Sequence, residues 1–285
     1  MKIAIIGTGK MGSLFARYFK EKYCVYVYDK YGTNVEKLVK EGVKEITLEE
    51  LKEIDYVILS VSLENMIDTL KEVVCYMKRG SILIEISSIK HSIYKIMKEL
   101  YKEYGVRMIS LHPLFGQGIK SMNDAKFVLV PVVNYEEEEK TVSSLFPNAK
   151  IIKMDAKEHD KAMAIILGLT HLVNFIFVKS IIDEDYNKLK EIGGTTFKLN
   201  SILLESIMND APNLTIQLLT LNPFMKMYTK KFMRHAINIS RLLTDGDKDR
   251  LLEEYKEARE EMNKKSKMEE SYELMYKILQ ELNNR

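Results

Sequence analysis

The 285-residue chain exceeds one average domain and falls short of three, and its 46% hydrophobic content is that of a globular core. A formal net charge of +2, from 43 basic and 41 acidic residues mixed along the chain, leaves no nucleic-acid footprint. The longest apolar runs, such as 162–169, fall well short of a membrane span, so neither a membrane nor a nucleic-acid partner is expected.

Residues 2–6, an apolar and β-branched run, read as a buried parallel strand. A strand so close to the start leaves no room for a signal peptide, which makes a cytoplasmic location the expectation. The strand ends in Gly7-Thr8-Gly9-Lys10-Met11-Gly12, and helical spacing follows through Phe19. Strand, glycine turn and helix together are the context that gives a G-x-G-x-x-G its meaning. Gly7 permits the tight turn, Gly9 lets a pyrophosphate approach the backbone, and Gly12 lets helix and strand pack closely. The helix N-terminus then faces the phosphates. A second strand over 23–28 ends at Asp29, placed to hydrogen-bond the adenosine ribose hydroxyls and to repel a 2′-phosphate. NAD is therefore the expected cofactor, with NADP as the alternative because Lys30 follows.

Cys24 and Cys75 stand in apolar stretches without ligand-like spacing and are expected as buried, reduced core thiols. No metal site is expected. Helices near 34–41 and 48–53 precede a third buried strand, 55–61, whose end brings Ser60 and Val61 to the cofactor edge. After a helix at 66–76, strand 81–86 ends in Ser87-Ser88-Ile89-Lys90. A helix at 93–104 leads to strand 106–111, which ends in His112-Pro113-Leu114-Phe115-Gly116. Two further strands are expected over 127–133 and 150–154. This alternation predicts an α/β doubly wound parallel sheet of Rossmann type over 1–155, with right-handed crossovers.

From residue 156 onward no strand is expected, so 156–285 reads as an all-α domain. Helices are predicted at 158–180, 185–190, 196–209, 212–221, 225–244 and 248–282, with breaks at Gly193-Gly194 and Asn222-Pro223. The first of these is apolar on several sides, which predicts burial by a second subunit and hence a homodimer. The charge-rich segment 249–285 reads as solvated surface helix.

Candidate chemistry falls at strand ends and at the start of the helical half. Pro113 biases His112 towards extended geometry, and an imidazole there suits either proton acceptance or a structural tie of the loop. Ser88 and Lys90 share the neighbouring strand end. His171 lies on the apolar helix, a setting more typical of a core histidine, while His159 and Asp160 fit a helix cap.

GTGKMG at the start, ISSIK at 86–90, LHPLFG at 111–116 and EHDKAMA with LTH across 158–171 occur together and in order. In this the sequence resembles the prephenate dehydrogenase (TyrA) family over nearly its whole length. The resemblance implies a nucleotide-binding domain followed by an α-helical dimerisation domain. It implies NAD(P)-dependent oxidation and decarboxylation of prephenate to 4-hydroxyphenylpyruvate in tyrosine biosynthesis, or of arogenate to tyrosine. By the same resemblance His112 is the catalytic histidine at the ring hydroxyl, Ser88 stands beside it, and His171 belongs to the substrate pocket.

The family carries an arginine for the substrate carboxylate six residues before an Asp-Pro. Here Ser206 occupies that place, and Asp-Pro is replaced by Asp210-Ala211-Pro212. Lys198, two turns upstream, is the expected substitute cation, with Arg234 and Arg241 as alternatives. Other readings are a different Rossmann dehydrogenase with an all-α second domain, against which the HPLFG loop argues, and a non-catalytic NAD-responsive regulator. Neither a chorismate mutase segment nor an ACT-type regulatory module is expected.

Overall fold

The computed structural model describes residues 1–123 and 125–283. Its contacts divide the chain into two units, one of Met1–Met163 with Thr220–Pro223, the other of Ala164–Leu219 with Phe224 onward.

The first unit is one eight-stranded sheet: β1 (Lys2–Ile6), β2 (Cys24–Tyr28), β3 (Lys44–Glu45), β4 (Tyr56–Leu59), β5 (Ile82–Glu85), β6 (Arg107–Pro113), β7 (Lys126–Val130) and β8 (Lys150–Lys153). Their order is β3-β2-β1-β4-β5-β6-β7-β8. The first six run parallel, as the alternating pattern requires. β7 pairs antiparallel with β6, Leu111 opposite Leu129 and His112 opposite Val128, and so departs from the all-parallel expectation. Among the described residues between β6 and β7, 114–123 and 125, there is no crossover helix, and such a connection returns the strand in the opposite direction.

Helices α1 (Lys10–Lys20), α2 (Val35–Lys40), α3 (Leu63–Val74), α4 (His91–Tyr104), α5 (Tyr135–Leu145) and α6 (Ala156–Met163) belong to this unit, with a 3₁₀ turn at Glu49–Glu53. The central strands β1, β4, β5, β6 and β7 are buried on both faces, while the edge strands β3 and β8 are not. Ile3, Ile5, Phe15, Phe19 and Val27 pack in one core, while Ala4, Ile6, Leu59, Met66 and Leu83 pack in the other. That alternation is the period-2 side-chain rule, and it explains why β1 reads as a continuous apolar run.

Both cysteines are exposed, against the expectation of core thiols. Cys24 is the first residue of β2, where the alternation turns it away from the core that Val25 enters, and Cys75 is the residue that caps α3. Apolar neighbours in sequence do not determine which face a residue takes.

The second unit is helical: a π-helical stretch at Ala164–Leu169, then α7 (Thr170–Ile181), α8 (Tyr186–Ile192), α9 (Thr195–Met208), α10 (Pro212–Leu221), α11 (Met225–Asp245), α12 (Lys248–Asn263) and α13 (Met268–Asn283). The single helix expected over 158–180 therefore contains a wider turn. A Cβ on Gly168 would fall 2.1 Å from Met225 Sδ, so the Met225 side chain at the start of α11 packs directly on this glycine. The predicted 248–282 helix is two helices, broken at 264–267.

Large apolar side chains of this unit face outward, among them Ile166 at 57% exposure, Ile176, Ile202, Ile216 and Ile237 at 63%. By length and composition the helical run Ala156–Ile181 is also long and apolar enough to cross a membrane, where the 162–169 run by itself looked too short. A short run counted between polar residues underestimates a helix in which two of the polar groups, His171 and Asn174, are buried.

Candidate active site

The glycine turn has the shape its sequence implies. Gly7 sits at φ +92°, and a Cβ there would lie 2.5 Å from the Ser60 carbonyl oxygen and 2.9 Å from Val61 Cγ1. A Cβ on Gly12 would lie 1.9 Å from the Gly7 carbonyl oxygen, so helix and turn touch through these two glycines. Around Gly9 the space is open for 4 Å, which leaves its backbone approachable. Gly9 begins α1 with no side-chain cap, and the first turn of the helix carries no acid. Lys10 and Met11 open that turn. Its leading N–H groups and positive dipole end suit an anion.

Asp29, at the end of β2, ties this turn together. Its Oδ2 accepts the Thr8 N–H at 2.8 Å, and its Oδ1 accepts the N–H groups of Tyr31 at 2.9 Å and Thr33 at 3.2 Å. Partial burial pushes its pKa up, but these three donors prevail and hold the carboxyl below its ordinary value. The buried Thr8 hydroxyl donates to the Thr33 carbonyl, and Asn34 donates to the Thr8 carbonyl at 2.9 Å.

Strand register carries this edge across the sheet. Ile6 pairs with Leu59, Leu59 with Glu85, and Glu85 with Ser110. Gly7, Ser60, Ile86 and Leu111 therefore stand in one row at the carboxyl ends of β1, β4, β5 and β6. Three interstrand spacings, about 14–15 Å, separate the glycine turn from β6 along that row. This is the edge at which doubly wound sheets bind ligands.

His112 lies within β6, not in a loop beyond it, and is 4% exposed. Its Nδ1 is 2.8 Å from Nε2 of His159, whose Nδ1 is 2.8 Å from Asp160 Oδ1. Asp160 does cap a helix, but it is α4 rather than its own: Oδ1 accepts the Lys90 N–H at 2.7 Å and Oδ2 accepts the His91 N–H at 2.9 Å. Burial, then the Lys90 ammonium, then His159 push the His112 imidazole well below its ordinary pKa. Burial likewise lowers His159, against the pull of Asp160. Both rings are held neutral at physiological pH.

Beneath this chain lies an enclosed ion pair. Lys90 Nζ is 2.6 Å from Glu85 Oε1 and donates to the Leu111 carbonyl at 2.9 Å. The Ser110 hydroxyl also donates to Glu85 Oε1, and Ser87 donates to Oε2 from its N–H at 2.8 Å and its hydroxyl at 2.6 Å. The pair thus braces the loop that carries half-buried Ser88 against the strand that carries His112. Desolvation lowers the Lys90 pKa, with Glu85 opposing.

Sequence reasoning assigned no role to Glu85 and only a cap to His159 and Asp160. A glutamate inside SILIEI, in a strand buried on both faces, is the signal that was present for Glu85. The sequence separation of 47 between His112 and His159 left their pairing without a local signal.

In the helical unit His171 is 8% exposed, with Nδ1 3.3 Å from the Thr215 hydroxyl of α10. Burial lowers its pKa, and Asp210 pulls the other way. Lys198 is exposed near the start of α9 and lines a depression of about 280 Å³ with Gly194, Tyr276, Leu279 and Gln280. His171 thus neighbours α10 and Lys198 neighbours α13. Ser206, Arg234 and Arg241 are all exposed.

Two family descriptions match this chain: "Prephenate dehydrogenase, nucleotide-binding domain" over residues 15–146 and "Prephenate dehydrogenase, dimerization domain" over 155–257. The first begins after the glycine turn, so that turn is independent support. A probable arogenate/prephenate dehydrogenase of Methanocaldococcus jannaschii is 29% identical over 279 residues, covering 94% of this chain. The chain spans 62% of the length of that relative. Among solved structures, a prephenate dehydrogenase from A. aeolicus in complex with hydroxyphenyl propionate and NAD⁺ superposes at TM-score 0.73 and 20% identity, covering 93% of this chain and 98% of the other. A Synechocystis arogenate dehydrogenase gives TM-score 0.67 and 19% identity, covering 93% and 100%.

Proposed function

Because this chain belongs to the prephenate dehydrogenase family, we propose that it oxidatively decarboxylates prephenate to 4-hydroxyphenylpyruvate with NAD, in tyrosine biosynthesis. The observation that carries the reading is His112: a neutral imidazole in a buried strand, on the same sheet edge as an open glycine turn.

In this reading residues 1–155 bind the nucleotide, and 156–285 bind substrate and dimerise. Gly7, Thr8, Gly9, Lys10, Met11 and Gly12 hold the pyrophosphate, Asp29 holds the adenosine ribose, and Ser60 and Val61 border the cofactor. When bound, NAD supplies the hydride acceptor. His112 takes the proton of the ring hydroxyl and returns it to that oxygen when loss of CO₂ makes the ring aromatic. Ser88 orients the hydroxyl. His171 and Lys198 contact the rest of the substrate, Lys198 in place of the arginine that Ser206 has displaced.

Asp29 favours NAD over NADP, and Asp29→Ala narrows that preference. A wild type that used NADP better would transfer the choice to Lys30. The outward apolar residues of the helical unit support a homodimer, and the charge pattern and fold suit a cytoplasmic enzyme.

Arogenate is the second reading, favoured by the names of the M. jannaschii and Synechocystis relatives. Nicotinamide reduction with each substrate tests both: faster turnover of prephenate with NAD supports the proposal, faster turnover of arogenate supports the second reading, and no reduction with either removes both.

A further inference from the structure

The chain His112–His159–Asp160 has a direction that the donor and acceptor rules fix. Asp160 is a carboxylate whose two oxygens already receive the first N–H groups of α4, from Lys90 and His91. Carboxylates only accept, so His159 Nδ1 carries a hydrogen and donates it to Asp160 Oδ1. A neutral imidazole has one N–H, which leaves His159 Nε2 bare and accepting. The group facing it at 2.8 Å, His112 Nδ1, must then donate. His112 is left with its own Nε2 unprotonated.

We propose that His159 and Asp160 are positioning residues that lock His112 in the Nδ1–H tautomer, so that Nε2 is the atom that takes the substrate proton. The proposal rests on the reading of His112 as the base given above. Asp160 contributes a fixed anchor: because it is also the cap of α4, its carboxylate cannot turn without uncapping that helix. His159 contributes the acceptor. In turnover the hydroxyl O–H breaks, an N–H forms at Nε2, and that N–H returns its proton to the phenolic oxygen on aromatisation. The His112 Nδ1–H stays in place throughout, and no other proton donor is required.

The tautomer is measurable without substrate. Selective ¹⁵N-histidine labelling and long-range ¹H–¹⁵N correlation of the full-length wild type should show, at neutral pH, a protonated Nδ1 and a bare Nε2 for His112, and the same for His159. An Nε2–H tautomer at His112 overturns the proposal, whether or not prephenate is turned over. Failure of turnover with the expected tautomer in place overturns the functional reading and leaves the hydrogen-bond assignment intact.

Two variants separate positioning from packing. His159→Phe keeps ring volume and removes the acceptor, whereas His159→Gln presents a carbonyl oxygen near where Nε2 stood. With prephenate and NAD, His159→Phe should lose about 10- to 100-fold in kcat, part of the 10²–10⁴ that base assistance is worth, with KM and NAD affinity near wild type. His159→Gln should recover most of that loss. Equal kcat in wild type and His159→Phe, or equal loss in both variants, would overturn the proposal. Should His159→Phe fail to fold, the wild-type tautomer still decides.

Discussion

Lys90 Nζ and Glu85 Oε1 meet at 2.6 Å with neither side chain exposed to solvent. Such a pair is costly to desolvate, and its value lies in what it holds: the Ser88 loop to β5 and, through the Leu111 carbonyl, to β6. Removing one partner strands the other. Lys90→Met should destabilise the protein by about 3–5 kcal/mol, because a buried carboxylate loses its cation. Glu85→Gln in the Lys90→Met background should recover more than half of that loss. Chemical denaturation of the three proteins checks this, and a single variant as stable as wild type would contradict it.

His112→Asn keeps a donor where Nδ1 stands and removes the basic nitrogen. Its kcat should fall by about 10²–10⁴, the usual worth of general-base assistance. The melting temperature should hardly move, because the retained amide still reaches His159 Nε2. Steady-state kinetics with parallel calorimetry tests the prediction, and a variant that lost activity only by unfolding would return His112 to a structural role.

Acid sensitivity follows from three buried imidazoles. His112, His159 and His171 all lie below the ordinary value of 6.5, chiefly because burial disfavours their charged forms. The unfolded chain therefore binds protons that the folded one refuses. Stability is full above about pH 7 and declines as pH falls below 6.5, until the folded values are reached. Urea titrations at several pH values between about 5 and 8 should show a smaller unfolding free energy at the acid end. Constant stability across that range would mean that these rings are not held neutral.

The outward apolar surface of the helical unit predicts self-association. Sedimentation at micromolar concentration should give a dimer, and substituting aspartate for Ile166 and Ile176, both exposed in the single chain, should shift it to monomer. A wild type that sediments as a 33.2 kDa monomer would contradict this.

The sequence made the strand–turn–helix of residues 2–20 readable because its signals are local: an apolar run, three glycines at fixed spacing, then a helical period. The edge from Gly7 to β6 was readable for the same reason, since each strand announced its own end. The direction of β7 was not, because strand polarity follows from the path of the connection and not from the strand's own residues. His159 illustrates the same limit at the site. Its neighbours suggest a helix start, whereas its hydrogen-bond partner stands on a strand 47 residues earlier. Burial misled in both directions: apolar neighbours hid the exposure of Cys24, and the charge of Glu85 hid its enclosure.

The short return of Thr220–Pro223 to the sheet-bearing unit constrains the order in which that unit is built. Asn222 Nδ2 donates to the Asp160 carbonyl at 2.8 Å, across a sequence separation of 62. During synthesis from the N-terminus, the eight strands and α6 emerge well before this contact exists. The backbone beneath Asp160 receives its last donor only after the first four helices of the other unit have been made. Vectorial synthesis thus lets the sheet and the residues of the histidine chain emerge early, and leaves the Asp160 carbonyl without its Asn222 donor until much of the helical unit has emerged.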